Sequence, residues 1–398
     1  MRVRAIRDVS EFAAMKGCWD QMLEGSDHDF PFYSWTWYST WWKHFGHDSE
    51  LLVLVAEEGP DRVEGIAPLM RTRTHLRGMP VREVRFLDNS IGPRNAFLLR
   101  PGEVGLRALR GMVQYLVDHR AEWDLATLTN IDAKAFYLGE LVEHARRTGL
   151  RILEEPARQS PYVQIAGDFS TYWANNFNSK HRYNIRRCLR MLSEAGRYRV
   201  VDYTAPRDME TALRLAFQVS ASSWKARIGT HMNGCYDREA FYRESTRLLA
   251  QQGQVRIWVA MLDDYPIAVM YQLASEKAVH LLVSDFDEGY RDLSPGSVLL
   301  YQVLEKLHSE NKPQFDFCGN AYDYKQQWAT GVKPHVTLQL FNRRWYSRFI
   351  YAAKTRILPW LRMLGNLGGR LSGRRRGHQL KDGGNASRTT KKNDGRGA

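Results

Sequence analysis

The residues best suited by type to bind an anion form the run "RDLSPGS", from Arg291 to Ser297. Ser294 has a helix-capping side chain, Pro295 suits a first helical turn, and Gly296 lets an anion approach the backbone. Unpaired N–H groups and the helix dipole attract phosphate at such a start. The pattern predicts a phosphate-binding helix start made by Arg291, Ser294, Gly296 and Ser297. The alternative is an ordinary capped helix.

Side chains that can donate protons or bind anions occur in the run "CGNAYDYKQQW", after a short predicted strand. The phenols of Tyr322 and Tyr324, with an ordinary pKa of about 10, keep their protons at neutral pH and suit a general acid. Lys325 suits a phosphate or another anionic group, and Asn320 suits the amides of a ligand. The alternative is that one tyrosine packs under the sheet and Lys325 is solvated.

Two side chains are candidate general bases. Asp285 closes the predicted strand "HLLVSDF", where a carboxylate can accept the proton of an attacking group directly or through water. His231 lies on a loop bounded by glycines and is the rival base. The alternatives are a turn-forming aspartate and an exposed histidine.

Candidate substrate-binding residues combine aromatic and basic groups. Trp224 and Lys225, in the run "SSWK", place an aromatic wall beside an ammonium group, which suits a sugar or peptide-like acceptor. Lys180 and Arg182 belong to a predicted helix whose basic residues recur at three- and four-residue spacing, which suits a phosphate. The alternatives are a core tryptophan and a solvated basic helix face.

Hydrophobic periodicity places these residues in a mixed α/β chain. The second half reads as a helix over residues 179–196, a strand, two helices, a three-strand meander, a helix, a strand, a short helix and a final strand. A hairpin containing Val55–Ala56 and Ile66–Ala67 shares its pattern with one containing Val259–Ala260 and Ile267–Ala268. The repetition predicts two tandem copies of one α/β unit, joined near residues 156–170.

Four runs of the second half resemble the GNAT acyltransferases, and more specifically the BioF2-like or CelD-like acetyltransferases. That family is related to the Fem-type tandem-GNAT aminoacyltransferases. The matching runs are "SKHRYNIRRCLRML", "SSWK", "YRDLSPGSVLL" and "FDFCGNAYDYKQQWA". The resemblance implies an α/β (α+β) fold of two GNAT-like domains, each with a largely antiparallel sheet flanked by helices, of which the first is degenerate.

The resemblance also implies a reaction. An acetyl or other acyl group would pass from acyl-CoA to an amine or hydroxyl acceptor connected with a cell-surface polysaccharide or an envelope precursor. The helix start at Gly296 would hold the CoA pyrophosphate, and Tyr322 or Tyr324 would protonate the departing thiolate. Two alternatives stay open: Fem-like transfer from aminoacyl-tRNA, and a catalytically inactive scaffold of a membrane biosynthetic complex.

The basic charge of the chain is concentrated at its end. Residues 343–398 hold 15 of the 57 Lys and Arg and 2 of the 44 Asp and Glu, so the preceding residues carry 42 of each sign. A neutral body argues against a nucleic-acid groove. Aromatic and aliphatic side chains are interleaved with the cations of residues 343–377, which predicts an amphipathic segment for an anionic membrane surface. The predicted organisation is 1–165, 166–342, an amphipathic segment at 343–377 and a disordered tail at 378–398.

The spacing of the cysteines and the lengths of the apolar runs indicate whether the protein binds a structural metal and in which compartment it resides. The four cysteines are far apart and no histidine stands at zinc-ligand spacing, so we expect reduced thiols and no metal. We find no signal-peptide core and no apolar run of bilayer length. The sequence therefore predicts a cytoplasmic protein that associates peripherally with the inner face of the membrane, and it leaves the oligomeric state open.

Overall fold

The computed structural model describes residues 1–357 except residues 25, 27, 29, 60, 61 and 77. Residues 1–344 form one compact unit, and a second unit begins at Trp345. The predicted disordered tail and most of the predicted amphipathic segment lie outside the described residues.

The first half of the large unit alternates helices with strands. Its elements are β1 (Arg2–Ile6), α1 (Val9–Ala14), α2 (Lys16–Leu23), α3 (Trp35–Phe45), β2 (Ser49–Glu57), β3 (Val63–Leu76), β4 (Met79–Phe86), β5 (Leu98–Leu99), α4 (Glu103–Asp118), β6 (Leu125–Asp132), α5 (Leu138–Arg147) and β7 (Arg151–Gln164). Apolar side chains on one stripe of α4 pack on the sheet, as an amphipathic helix requires.

The second half follows the order predicted from its sequence, preceded by one additional helix. Its elements are α6 (Phe169–Asn176), α7 (Ser179–Ala195), β8 (Tyr198–Tyr203), α8 (Met209–Ala221), α9 (Tyr236–Ala250), β9 (Val255–Leu262), β10 (Tyr265–Ala274), β11 (Val279–Phe286), α10 (Pro295–Ser309), β12 (Gln314–Asp316), α11 (Asp323–Trp328) and β13 (Gly331–Phe341). Every residue of β9 is buried, because apolar clusters cover both faces of the sheet there.

The described strands form one sheet, in the order β1-β2-β3-β4-β6-β13-β7-β12-β11-β10-β9-β8, with β5 beside β3. The order from β1 inward matches the order from β8 inward, which confirms the tandem GNAT-like architecture. The two halves have exchanged their last strands. β7 pairs with β12 of the second half, and β13 pairs with β6 of the first.

The strand exchange bears on where the two halves join, a boundary that the sequence predicts near residues 156–170. β7 runs through both Pro156 and Pro161 and pairs with β13 along its length. Pro161 takes part through its carbonyl, which accepts from the N–H of Phe317 at 2.9 Å, so its missing N–H does not interrupt that contact. The division at 165/166 therefore falls just after β7, and the two halves share one continuous sheet.

The second unit begins with α12 (Trp345–Ala352), followed by a π-helical turn over Ala353–Ile357. Trp345 and Phe349 lie one helical turn apart and expose 76% and 47% of their surface. None of the helices in the described ranges has both the length and the apolar character that a bilayer span requires.

Candidate active site

The sheet opens between β11 and β12. These parallel strands pair at two positions only, Val279 with Phe315 and His280 with Asp316. After Asp316 the chain turns away through Cys318 and Gly319, which both have positive φ values, whereas β11 continues to Phe286. Beyond the second pair, the β12-facing edge of β11 therefore borders a gap.

A bulge distorts β11 beside this gap. Val283 pairs with Tyr271 of β10 but Leu281 pairs with Gln272, so Leu282 is an extra residue on β11. Bulges re-aim backbone and side-chain groups and recur beside functional sites. Here the bulge lies where β11 leaves β12.

A first cavity, of about 310 Å³, lies between the end of β11 and the start of α10. All four residues predicted to form the phosphate-binding start contribute to its wall: Arg291, Ser294, Gly296 and Ser297. The cavity also contacts Trp224 and Tyr324, which connect it with the gap between the strands. We refer to it as the donor cavity.

The start of α10 presents backbone donors to the donor cavity. Pro295 has no N–H, and the N–H groups of Ser297 and Val298 bond to the carbonyl of Ser294 at 3.1 and 3.2 Å. The N–H of Gly296 forms no hydrogen bond to a backbone carbonyl of the described residues, so it is available to donate to an anion. A Cβ on Gly296 would lie 3.4 Å from Phe286, which is ordinary contact.

Ser294 does not cap α10 with its side chain, contrary to the sequence-based expectation. Its backbone is left-handed, with φ 49° and ψ 47°, and its hydroxyl forms no hydrogen bond to the helix. A glycine adopts this conformation without the steric cost that Ser294 incurs. Ser294 instead contributes to the wall of the donor cavity.

Arg291 is exposed and paired. Its Nη2 lies 2.6 and 2.7 Å from the carboxylate oxygens of Glu288, which also pairs with Arg227 at 3.1 Å. Arg291 lines the donor cavity, whereas Arg227 binds the same carboxylate without contributing to the cavity wall. The guanidinium of Arg291 suits an anion that approaches the start of α10.

A second cavity, of about 780 Å³, lies on the other side of the gap. It shares Trp224, Leu281, Ser284 and Tyr324 with the donor cavity. The volume lies within the range of roughly 300–1,000 Å³ typical of small-molecule sites. We call it the acceptor cavity, because it reaches the same point of β11 from the opposite direction.

The two predicted acid candidates both reach this site, but they differ. Tyr324 contributes to both cavities, whereas Tyr322 contributes to the acceptor cavity alone. Their rings stack at 6.4 Å between centroids. Although 44% of Tyr324 is exposed, burial of its phenol raises the pKa to about 12, with the charge of Asp285 adding to the shift. Tyr324 is therefore a firmly protonated donor where the cavities meet.

Asp285 does not have the surroundings of a general base. Its carboxylate is fully buried, lies 2.5 Å from Nζ of Lys225 and accepts from the hydroxyl of Ser220 at 2.7 Å. A carboxylate engaged by a cation and a hydroxyl has fewer lone pairs available to an attacking group. The geometry favours a positioning role, in which Asp285 fixes the ammonium of Lys225 at the wall of the acceptor cavity.

Replacing Lys225 by methionine is expected to lower the free energy of unfolding by about 3 kcal/mol, because the buried Asp285 then loses its cation. The double change Lys225→Met with Asp285→Leu should recover much of that loss. Urea unfolding followed by circular dichroism measures both. Lys306→Met, which breaks an exposed pair with Glu310, is the control and should cost less than about 1 kcal/mol. Equal destabilisation of the single and double variants would refute the buried-pair interpretation.

Lys325 and Asn320 are not positioned for the roles predicted for them. The ammonium of Lys325 is buried and donates to the carbonyls of Phe317 and Cys318 at 3.0 and 2.8 Å. Burial lowers its pKa to about 8. Lys325 therefore stabilises the turn after β12. It lines the acceptor cavity and does not contribute to the donor cavity at the start of α10. Asn320 is exposed and contributes to neither cavity.

The predicted substrate-binding residues separate into two groups. Trp224 and Lys225 line the acceptor cavity, as that assignment requires. Lys180, Arg182 and His231 contribute to neither cavity. The guanidinium of Arg182 instead donates to the carbonyls of Ala174 and Phe177 at the end of α6, so it fixes the junction of two helices.

Residues of the first half also reach the site, which the sequence did not predict. Asn89, Ser90 and Ile91, in the loop after β4, line the acceptor cavity. Trp41 donates to the side-chain oxygen of Asn89 at 3.0 Å, and Ser90 has a left-handed backbone with φ 73°. The polar, turn-forming run "DNSIGPRN" was the available signal for a functional loop.

A buried ion pair ties this loop to the second half. Arg94 pairs with Asp316, the last residue of β12, and Lys333 lies 3.5 Å from the same carboxylate. Burial alone would raise the pKa of Asp316, but the charge of Arg94 holds it below its usual range. The pair anchors β12 from the first half at the position where β11 and β12 begin to separate.

The corresponding gap of the first half is filled. β4 and β6 form the equivalent parallel pair, from Glu83–Leu125 to Arg85–Thr127. Beyond it, Asn95 donates to the carbonyls of Asn130 and Thr129 at 3.2 and 3.1 Å. The buried ring of Phe97 follows. The open site thus belongs to the second half.

Comparison with known proteins identifies this second half. Residues 179–326 match the family described as acetyltransferase (GNAT) domain, which supports a GNAT/Fem-like acetyltransferase domain in the second half of the chain. No curated protein sequence matches the chain. The match supports an acyltransferase, and the GNAT fold typically binds acyl-CoA. No cluster of histidine, cysteine or acidic side chains suited to a metal occurs among the described residues.

Solved structures share the fold over most of the chain. A conserved protein of unknown function from Bacteroides thetaiotaomicron is 8% identical, with a TM-score of 0.53 over 86% of this chain and all of that one. FemX is 12% identical, with a TM-score of 0.52 over 85% of this chain and 97% of its own. At these identities the similarity concerns the fold alone.

Proposed function

We propose that the protein transfers an acetyl or another short acyl group from acyl-CoA to an amine or hydroxyl acceptor. The observation that carries this proposal is the meeting of two cavities at Ser284 and Tyr324, in the gap where β11 and β12 separate. One cavity ends at a helix start with an available N–H, and the other is larger and open to an acceptor. Such an arrangement brings two reactants to one point of the sheet.

Different groups of the site bind the donor, polarise its carbonyl and protonate the leaving group. The N–H of Gly296, the hydroxyl of Ser294 and the guanidinium of Arg291 bind the pyrophosphate of the donor. Backbone N–H groups of β11 beside the bulge polarise the thioester carbonyl. The acceptor attacks that carbonyl, the carbon–sulfur bond breaks, and the phenol of Tyr324 protonates the thiolate. The proton lost by the acceptor then restores the phenol, so no further base is required.

Calorimetric titration of the full-length protein with acetyl-CoA tests the proposal. We expect one site per chain, and we expect aminoacyl-tRNA neither to bind competitively nor to support transfer. Absence of acetyl-CoA binding together with aminoacyl-tRNA dependence would favour the Fem-like alternative. A scaffold role would be indicated if cellular function survived replacement of Gly296, Tyr322 and Tyr324.

We also propose that the chain associates with an anionic membrane surface through residues 343–377, near an envelope precursor that serves as acceptor. The support is the exposed pair Trp345 and Phe349 on α12, with Arg348 between them and a strongly basic sequence beyond. Replacing both aromatics by serine should reduce sedimentation with phosphatidylglycerol vesicles at least about tenfold, given the apolar area removed. Equal sedimentation with neutral phosphatidylcholine vesicles would contradict the proposal.

A further inference from the structure

Two cations of the acceptor cavity, Lys325 and Arg238, have no carboxylate partner among the described residues, and Arg238 is the one of the two that is not buried. Of its three basic side chains, Lys225 is paired with Asp285 and Lys325 donates to two backbone carbonyls. Arg238 is different. Its Nη1 donates to the carbonyls of Gly229 and His231, both at 3.0 Å, and it has no acidic partner among the described residues. The guanidinium is therefore held in place while its charge remains available.

The fixed position of Arg238 distinguishes it from an ordinary surface arginine. It belongs to the first turn of α9, and the two carbonyls that it binds lie in the preceding loop, which also contributes Thr230 to the cavity. With Nη1 bonded to these two carbonyls, the N–H groups of Nη2 and Nε are available to a ligand. A preorganised guanidinium binds a planar or tetrahedral anion with little loss of side-chain entropy.

The remaining wall suits a ring that carries hydroxyl groups. Trp224 and Tyr322 are large exposed aromatics at this cavity, and aromatic faces pack against sugar and other ring surfaces. On the side of the first half, the side-chain oxygen of Asn89 is occupied by Trp41, which leaves its amide hydrogens available. Ser90 and Thr230 add hydroxyl groups. Asp323 is the single acidic residue of this wall, and it is exposed.

We propose that the acceptor is an anionic, hydroxylated ring compound, whose phosphate or carboxylate binds Arg238 while its ring lies against Trp224. The inference rests on the proposed function, since it assigns the substrate class of the same site. The anion at Arg238 and the thioester at Ser284 occupy different parts of one cavity wall. The nucleophile and the anion are therefore separate groups of the acceptor.

Three amino sugars with the same ring and amine test this inference: glucosamine, glucosamine 6-phosphate and muramic acid. Binding to the full-length protein is measured by calorimetry without CoA, and turnover is measured with acetyl-CoA. At least one anionic sugar should bind about tenfold or more tighter than glucosamine, as a charge-assisted hydrogen bond provides. The two anionic probes separate a phosphate site from a carboxylate site.

Arg238→Gln should reduce that preference to less than about threefold and raise KM for the anionic sugar, with kcat and the Kd for acetyl-CoA unchanged. The matched control is Arg247→Gln, which removes an exposed arginine about two and a half turns away on the same helix α9. Equal affinity for all three sugars, absence of binding by both anionic sugars, or an unchanged preference in Arg238→Gln would overturn the inference. Failure of acetyl-CoA to bind would instead overturn the proposed function, because the sugar titrations are made without it.

Discussion

Replacement of Gly296 by glutamate is expected to abolish acetyl-CoA binding, with a loss in affinity of at least about 100-fold. The new side chain enters the donor cavity, and its carboxylate faces the same N–H groups that the pyrophosphate requires. The backbone at Gly296 tolerates a Cβ, since the nearest atom of Phe286 would lie 3.4 Å away. The effect should therefore appear in ligand binding, measured by calorimetry, with little change in thermal stability.

The first half offers a matched control for this variant. Gly139 is the second residue of α5, as Gly296 is the second residue of α10, and a Cβ there would meet no atom within 4 Å. Gly139→Glu thus adds the same charge at the same helical position, outside the proposed site. We expect it to bind acetyl-CoA with the affinity of the unaltered protein. Equal affinities for the two variants would show that the start of α10 does not bind the donor.

Replacement of Tyr324 by phenylalanine is expected to lower kcat about 100-fold, which is within the range for loss of a general acid. The phenol is the acidic group that reaches both cavities, and burial keeps it protonated. The Kd for acetyl-CoA should remain within about twofold, since the change removes one oxygen and leaves the ring. Pre-steady-state measurement of thiol release separates this chemical step from product release.

Tyr322→Phe is the control for Tyr324→Phe. Tyr322 stacks on Tyr324 but does not line the donor cavity, so we expect less than about a threefold change in kcat. If Tyr322→Phe caused the larger loss, the assignment of the acid would move to Tyr322. If neither variant changed kcat, the thiolate would leave without protonation by either phenol.

The parts of the site that could be predicted from the sequence are the local ones. The start of α10 was recognisable because Pro295 and Gly296 act on the backbone where they stand, and the structure places Arg291 to Ser297 around one cavity. The tandem organisation was recognisable because two hairpins repeat a short apolar pattern. The predicted side-chain cap at Ser294 was wrong, since the residue has a left-handed backbone and its side chain forms no hydrogen bond to the helix.

The parts that could not be predicted depend on contacts between distant segments. Lys225 and Asp285 are 60 positions apart in the sequence, and their ion pair changes the role inferred for each of them. Nothing in the sequence around either residue indicates its partner. The same holds for Arg94 with Asp316, and for the exchange of β7 and β13, which have ordinary strand sequences. Side-chain roles that depend on such contacts emerge only with the tertiary structure.

The first half consequently has a structural part in the site even though its own gap is filled. It supplies Asn89 to Ile91 to the acceptor cavity, and it holds the end of β12 through Arg94. The exchanged strands make the two halves interdependent, because the sheet of each is completed by the other. The second half is therefore not expected to form the site when it is expressed alone.

A crystal structure of the full-length protein grown with acetyl-CoA is the most direct measurement of whether the two cavities serve one transfer reaction. We predict a diphosphate at the amide nitrogen of Gly296 and an acetyl carbonyl within hydrogen-bond reach of the β11 backbone near Ser284, with its sulfur facing the hydroxyl of Tyr324. A nucleotide bound on another surface, or one whose acetyl group points away from the larger cavity, would contradict the account.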